Sequence, residues 1–303
     1  MIIPYLDPIY RVLVCALERH HTKALLVTLE IFGSLAEIVG AATGEGNLPS
    51  IYIPPQLTLW KTKAKENPVD RTLLPLMESL SYITSSIGMS VQPWALEIFE
   101  TSMATINAAI MILSAADYTD EEADPLVCAA DTLDGLVEGL GANFAELVMS
   151  SAQYGSHFLT ILVALVGYDV DSVRMSAFAL MGDIARHCPQ VMQHGMGELI
   201  SEAVCCIDPT YPSVYNNAVW ALGEVFVRCE GNAAALQAYA NEVVQLLIGL
   251  IMGHGFNEEN GPLHGLEENA STAMGRLAKV NAQFVAADLP RFLNAWYVHL
   301  LYI

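Results

Sequence analysis

The chain has 303 residues, about two domains' worth and ample to bury a core. Hydrophobic residues make up 53% and the mean hydropathy is +0.40, which excludes intrinsic disorder. Thirteen Lys and Arg against 33 Asp and Glu give a net charge of −20, which makes nucleic acid a poor partner for the bulk surface and suits basic, Lys/Arg-rich ones.

The opening segment, MIIPYLDPIY, lacks a basic region and does not read as a signal peptide. From there apolar residues recur at three- to four-residue spacing, with Gly and Pro in the gaps. The spacing predicts helix pairs at 9–20 and 22–40, 49–63 and 71–87, 93–115 and 125–140, 155–167 and 171–188, 190–206 and 213–229, and 235–252 and 264–280. A final helix follows from about 286, and residues 117–124 read as an acidic loop within a repeat. No apolar run reaches the roughly 20 residues of a bilayer span; 158–166 and 243–252 read as buried helices. Cys15, Cys128, Cys188, Cys205, Cys206 and Cys229 are scattered through apolar patterns. That fits a reduced compartment, with neither a disulfide framework nor a metal site.

Six segments share one internal pattern, apolar residues around a small one: EIFGSLAEIVG (30–40), ESLSYITSSIG (78–88), DTLDGLVEGLG (131–141), FALMGDIARHC (178–188), VWALGEVFVRC (219–229) and STAMGRLAKVN (271–281). The small residues Ser34, Ser81, Gly135, Gly182, Gly223 and Gly275 are separated by 47, 54, 47, 41 and 52 positions. Those periods bracket a HEAT or armadillo unit. The expected fold is therefore an all-α HEAT-repeat α-solenoid, a superhelix of antiparallel helix pairs in a single array, 1–303. A helical Gly costs about 1 kcal/mol against Ala, so its recurrence points to close packing.

Most of the acid falls in one half. No Lys or Arg lies between Arg71 and Arg174, an interval holding fourteen Asp and Glu. Two readings stand: a solvated acidic surface, or an electrostatic trough for a basic ligand. Helical geometry assigns faces. On 213–229 the core stripe is Ala218, Leu222 and Val225. Trp220 projects about 200° from Ala218 and Leu222, flanked by Asn216 and Glu224. It either packs on the adjacent repeat or anchors a ligand. On 125–140, Val127, Asp131 and Glu138 oppose Leu126, Leu133, Leu136 and Leu140. Asp183 opposes Met181, and Asn269, Thr272 and Arg276 share one face of the next-to-last pair. Second helices usually line the concave side of a solenoid, and four such faces favour a binding groove.

Catalytic signatures are missing. The chain has no GxSxG, GxxxxGK[ST] or HExxH motif, and its carboxylates do not converge. His20, His21, His254 and His264 fall at predicted helix ends. The sequence reads as a non-enzyme without cofactor.

The run SVYNNAVWALGEV (213–225), with LTLWKTK (57–63), LLPLMESLS (73–81), ADTLDGLVEGLG (130–141), VRMSAFALMGD (173–183) and LEENASTAMGRL (266–277), resembles the transportins. These are importin-β superfamily receptors for proline-tyrosine nuclear localisation signals. The resemblance covers nearly the whole chain and is confined to the family's C-terminal HEAT-repeat region. It implies nuclear import receptors working in cytoplasm and nucleus, with basic signal-bearing cargo such as RNA-binding proteins, nucleoporin contacts and release by Ran GTPase. It implies neither direct nucleic-acid nor membrane binding. Asp131, Glu138, Asp183, Asn216, Trp220 and Asn269 match positions lining the site for the signal's N-terminal part. Val127 matches an aliphatic residue there; Thr272 departs from one. Glu224, beside Trp220, completes the candidate set. The family's main Ran-gripping repeats and acidic loop have no counterpart here, so the chain reads as fragment-like at both ends. A HEAT scaffold or regulatory subunit remains the alternative reading, since it shares the repeats without needing Trp220.

Overall fold

The computed structural model describes residues 2–19, 23–115, 118–206, 212–229, 233–253 and 264–300. His20, His21, His254 and Asp117 lie outside the described residues. The fold is an all-α HEAT-repeat α-solenoid, with no strand among the described residues. The chain divides into two compact units, Met1–Ile161 and Leu162–Ile303.

The first unit holds α1 (Leu6–Arg19), α2 (Lys23–Val39), α3 (Leu48–Glu66), α4 (Leu74–Ile87), α5 (Gln92–Leu113), α6 (Asp124–Leu140) and α7 (Phe144–Ser150). The unit boundary falls within α8 (Phe158–Val166). The second helix of each pair stacks on the next, α2 on α4 and α4 on α6, while α1, α3 and α5 pack alongside. Apolar spacing dictates this. In α1, Leu6, Tyr10, Leu13 and Leu17 recur at four, three and four residues and are all buried. Tyr10, Phe32 and Tyr52 stack where α1, α2 and α3 meet, with Tyr10–Tyr52 centroids 4.4 Å apart. Trp60 on α3 is fully buried, and its indole Nε1–H donates to Thr105 Oγ1 on α5 at 3.2 Å.

The small-residue pattern has a physical basis at α4–α6. A Cβ placed on Gly135 would run into Thr84 Oγ1 and stand 2.6 Å from the Ser81 carbonyl oxygen. Only Gly permits that approach. Ser81 Oγ–H donates to the Asp131 carbonyl at 2.9 Å and Thr132 Oγ1–H to the Met77 carbonyl at 3.2 Å, tying the two helices together. Gly88 and Gly141, with φ of +56° and +54°, end α4 and α6 in a backbone region that side chains disfavour. The expectation for Ser34 is corrected: Ser34 is exposed, and its neighbour Gly33 faces Tyr82 and Ser79 of α4.

The second unit holds α9 (Asp171–His187), α10 (Met196–Cys206), α11 (Pro212–Arg228), α12 (Ala240–Ile251), α13 (His264–Val280), α14 (Gln283–Ala286) and α15 (Leu289–Leu300). Again second helices stack, α9 on α11 and α11 on α13. Ala218, Leu222 and Val225 are buried as the periodicity requires. Arg228 Nε–H and Nη2–H reach across to the terminal carbonyls of Ala185 and Arg186 on α9, at 2.8 and 2.5 Å. Asn217 Nδ2–H donates to the Met175 carbonyl at 3.0 Å.

Other expectations need correction. α7 was not foreseen: seven residues are too few to register a period, yet its Phe144 packs against Phe99 and Phe158 at 6.0 and 5.7 Å. The helices expected from 155, 190 and 235 begin at Phe158, Met196 and Ala240, after turns or 3-10 segments. Two stretches, Lys23–Gly44 and Arg71–Leu113, are long and apolar enough by length and composition to cross a membrane, contrary to the run-length reading. The second is no single rod: it breaks at Gly88 between α4 and α5, and half of its apolar window is buried in the unit. All six cysteines are free thiols; Cys128, Cys188 and Cys229 are buried, whereas Cys15 and Cys205 are exposed.

Candidate functional site

The predicted residues fall into two groups, one in each unit. In the first, α6 turns Leu126, Leu133, Leu136 and Leu140 into the core, which leaves Val127 and Asp131 half-buried and Glu138 exposed. The tie from Ser81 to the Asp131 backbone fixes this turn of α6 against α4. Burial pushes the Cys128 thiol well above its ordinary range, and the charges of Glu78, Asp131 and Asp124 add to the shift. Glu78, exposed on α4, therefore belongs to the same acidic neighbourhood. The wheel of α6 alone could not find it, because it comes from the neighbouring second helix.

In the second unit the residues form a ladder across α9, α11 and α13. The Trp220 indole lies on Gly182 of α9. A Cβ at 182 would overlap its Cζ3 and stand 2.6 Å from Cε3. Trp220 keeps part of its surface exposed. One turn to either side, α11 bonds to α13. Asn269 Nδ2–H donates to Asn216 Oδ1 at 2.9 Å, and Arg276 Nη1–H donates to Glu224 Oε1 at 2.8 Å. Thr272 is half-buried on the same face of α13.

The burial of two acids departs from the wheel. Glu224 is 9% exposed and Asp183 is 8% exposed. Asp183 Oδ1 lies 3.8 Å from His187 Nε2 one turn along α9. A helical wheel separates core from non-core, but in a stack of second helices the flanks of that face are seams with the neighbouring repeats. Glu224 and Asp183 fall in the seams, and Glu138 lies clear of them.

The surface this leaves in the second unit is aromatic and amide. With one Asn269 Nδ2–H given to Asn216 Oδ1, the pair keeps N–H donors on both amides and Asn269 Oδ1 as an acceptor, groups that suit a peptide C=O and N–H. No group of three or more His, Cys, Asp or Glu able to hold a metal occurs among the described residues. The sequence reading missed two clefts of the first unit. One, of about 670 Å³, is lined by Lys61, Leu96, Glu97 and Tyr154 among others. The other, of about 700 Å³, is formed by Leu17, Leu25, Pro54, Pro55 and Leu59 among others. The only sequence signal was the Pro54–Pro55 pair inside a helical pattern.

No family model matches the chain. Among curated proteins it is 30% identical to transportin-1 of Oryza sativa subsp. japonica over 304 residues, covering 97% of this chain and 32% of that protein. It is 29% identical to transportin-1 of Homo sapiens over 300 residues, covering 97% and 32%. Among solved structures, the karyopherin Kap121p bound to the SUMO protease Ulp1p matches with a TM-score of 0.56 at 13% identity, covering 97% of this chain and 28% of that one. The chain is therefore similar to transportins along nearly its full length. It spans about a third of the length of the curated relatives it matches.

Proposed function

We propose that the chain is a nuclear import receptor of transportin type, which binds basic or hydrophobic proline-tyrosine nuclear localisation signals on the exposed faces of its second helices. Trp220 is the apolar anchor, and Asn216 and Asn269 bond the signal's backbone. Thr272 borders that anchor, and Glu224 and Asp183 stand behind it in the seams. Val127, Asp131 and Glu138 supply the aliphatic and acidic contacts of the other unit. The receptor is not an enzyme, moves between cytoplasm and nucleus, and has signal-bearing cargo and nucleoporins as partners.

One observation carries this reading. Trp220 rests on a glycine, is half-buried rather than enclosed, and is flanked by an amide pair that keeps both donor and acceptor groups. Aromatic anchors in such settings dominate binding energy at interfaces. Similarity to transportins along the chain supports the choice of ligand.

A second reading, a HEAT scaffold, is favoured by the pairing of Asn216 and Glu224 across α11–α13, which is also what a tie between repeats requires. Fluorescence anisotropy with a labelled signal peptide and a scrambled control separates the two. The receptor reading expects binding of the first, weakened by Trp220→Ala. Equal binding of both peptides, or none of either, supports the scaffold.

A further inference from the structure

The cleft bordered by α1, α2 and α3 has no part in the receptor reading. It measures about 700 Å³, within the size range of small-ligand sites. Leu17 and Leu25 line it as buried residues, Leu26, Pro54, Pro55 and Leu59 as half-buried ones. The threonines there add methyl groups rather than donors. Thr58 Oγ1–H is spent on the Pro54 carbonyl at 2.9 Å, and Thr62 Oγ1–H on the Thr58 carbonyl at 2.7 Å. Pro54 and Pro55 carry no backbone N–H. Against these walls stands one half-buried cation. Lys63 donates to Thr72 Oγ1 at 3.1 Å and meets no carboxylate at ion-pair distance among the described residues. Lys61, two positions earlier, is satisfied by Glu97 at 2.6 Å.

We propose that this cleft binds a fatty acid, with the acyl chain along the apolar walls and the carboxylate on Lys63 and Thr72. A carboxylate supplies the counter-charge that Lys63 lacks, through a charge-assisted hydrogen bond. Thr72 Oγ, which accepts from Lys63, has its own hydrogen left to donate to the second carboxylate oxygen. An acyl chain gains about 25 cal/mol for each Å² of apolar area it buries and needs no hydrogen bond in return. A peptide laid along the same walls would lose water from its backbone N–H and C=O groups. Prolines without N–H and threonines with spent hydroxyls offer those groups little in exchange. Two acids of the protein lie nearby. Glu18 lines the cleft but is exposed, where water and salt screen its charge. Asp70 is committed to the Thr72 backbone N–H at 2.8 Å. The site lies within one unit and is independent of the receptor reading.

The test titrates decanoate, below its micellar concentration, into the full chain by isothermal calorimetry, with decanol as the uncharged control of equal chain length. Wild type is expected to bind one decanoate and to prefer it to decanol. Lys63→Met, which keeps the alkyl stem, should weaken decanoate about tenfold, as loss of one hydrogen bond to a charged group does, and leave decanol unchanged. Leu59→Asn should weaken both ligands. Thermal melts confirm folding, and Lys63→Gln replaces the Met variant if that melts early. Wild type that does not bind decanoate overturns the proposal. So does a Lys63 variant that binds decanoate as wild type does, or that loses both ligands equally. Displacement of decanoate by an acetylated Leu-Leu-Leu-Asp amide would make the cleft a peptide site and would overturn it as well.

Discussion

Gly182 and Trp220 illustrate how one residue's identity is fixed by another's bulk. The indole occupies the space a Cβ at 182 would need. Gly182→Ala should therefore either displace the ring or force α9 and α11 apart, at a cost of about 1–3 kcal/mol, typical of overpacking. Thermal melting checks the stability, and a changed Trp emission checks the displacement. Trp220's position away from its core stripe was legible at 100° per residue, because that needs only its own helix. The burial of Asp183 and Glu224 was not, because it depends on which neighbouring helix closes over each flank. The same limit explains Ser34 and Gly33: two adjacent small residues fit the repeat equally, and only the packing of α4 selects Gly33. Thiol reactivity gives a further check at this scale. Exposed Cys15 and Cys205 should react with a thiol reagent at neutral pH, whereas buried Cys128, Cys188 and Cys229 should react only on unfolding.

Helix pairs were legible as elements because each sustains its period over three or more turns. Short ones such as α7 were not, and neither were starts preceded by turn residues. α4 approaches α6 closely at Gly135. Here the obstacle to a side chain includes the backbone oxygen of Ser81, which cannot rotate away. Gly135→Ala should lower stability despite the better helix propensity of Ala, because about 1 kcal/mol of propensity is offset by backbone displacement. Gly249 of α12 meets nothing within 4 Å, so Gly249→Ala should leave stability equal or raise it by a few tenths of a kcal/mol. Parallel thermal melts of the two variants check both. A Gly135→Ala chain as stable as wild type would contradict the close-approach account of the repeats.

For the chain as a whole, several buried protons set an alkaline limit. Burial, with Asp183 adding, pushes the Cys188 thiol from 9.0 up to about 12. Burial likewise pushes Cys128, Tyr10 and Tyr52 upward. These groups stay protonated in the folded chain at pH values where the unfolded chain ionises. Their contribution is fully present below about pH 9 and is lost as pH rises through the folded values. Melting temperature should fall progressively from pH 9 upward, and a flat profile would mean that these side chains are open to solvent. Net charge of −20 sets the other global property, attraction of basic ligands that salt screens over about 8 Å. The most direct measurement of the receptor account joins these scales: anisotropy of a basic-hydrophobic signal peptide across a salt series. Trp220→Ala should weaken binding at low and high salt alike, since apolar burial does not need low ionic strength. Asp131→Asn with Glu138→Gln should weaken it mainly at low salt. Binding insensitive to salt and undiminished by the loss of Trp220 would contradict the account.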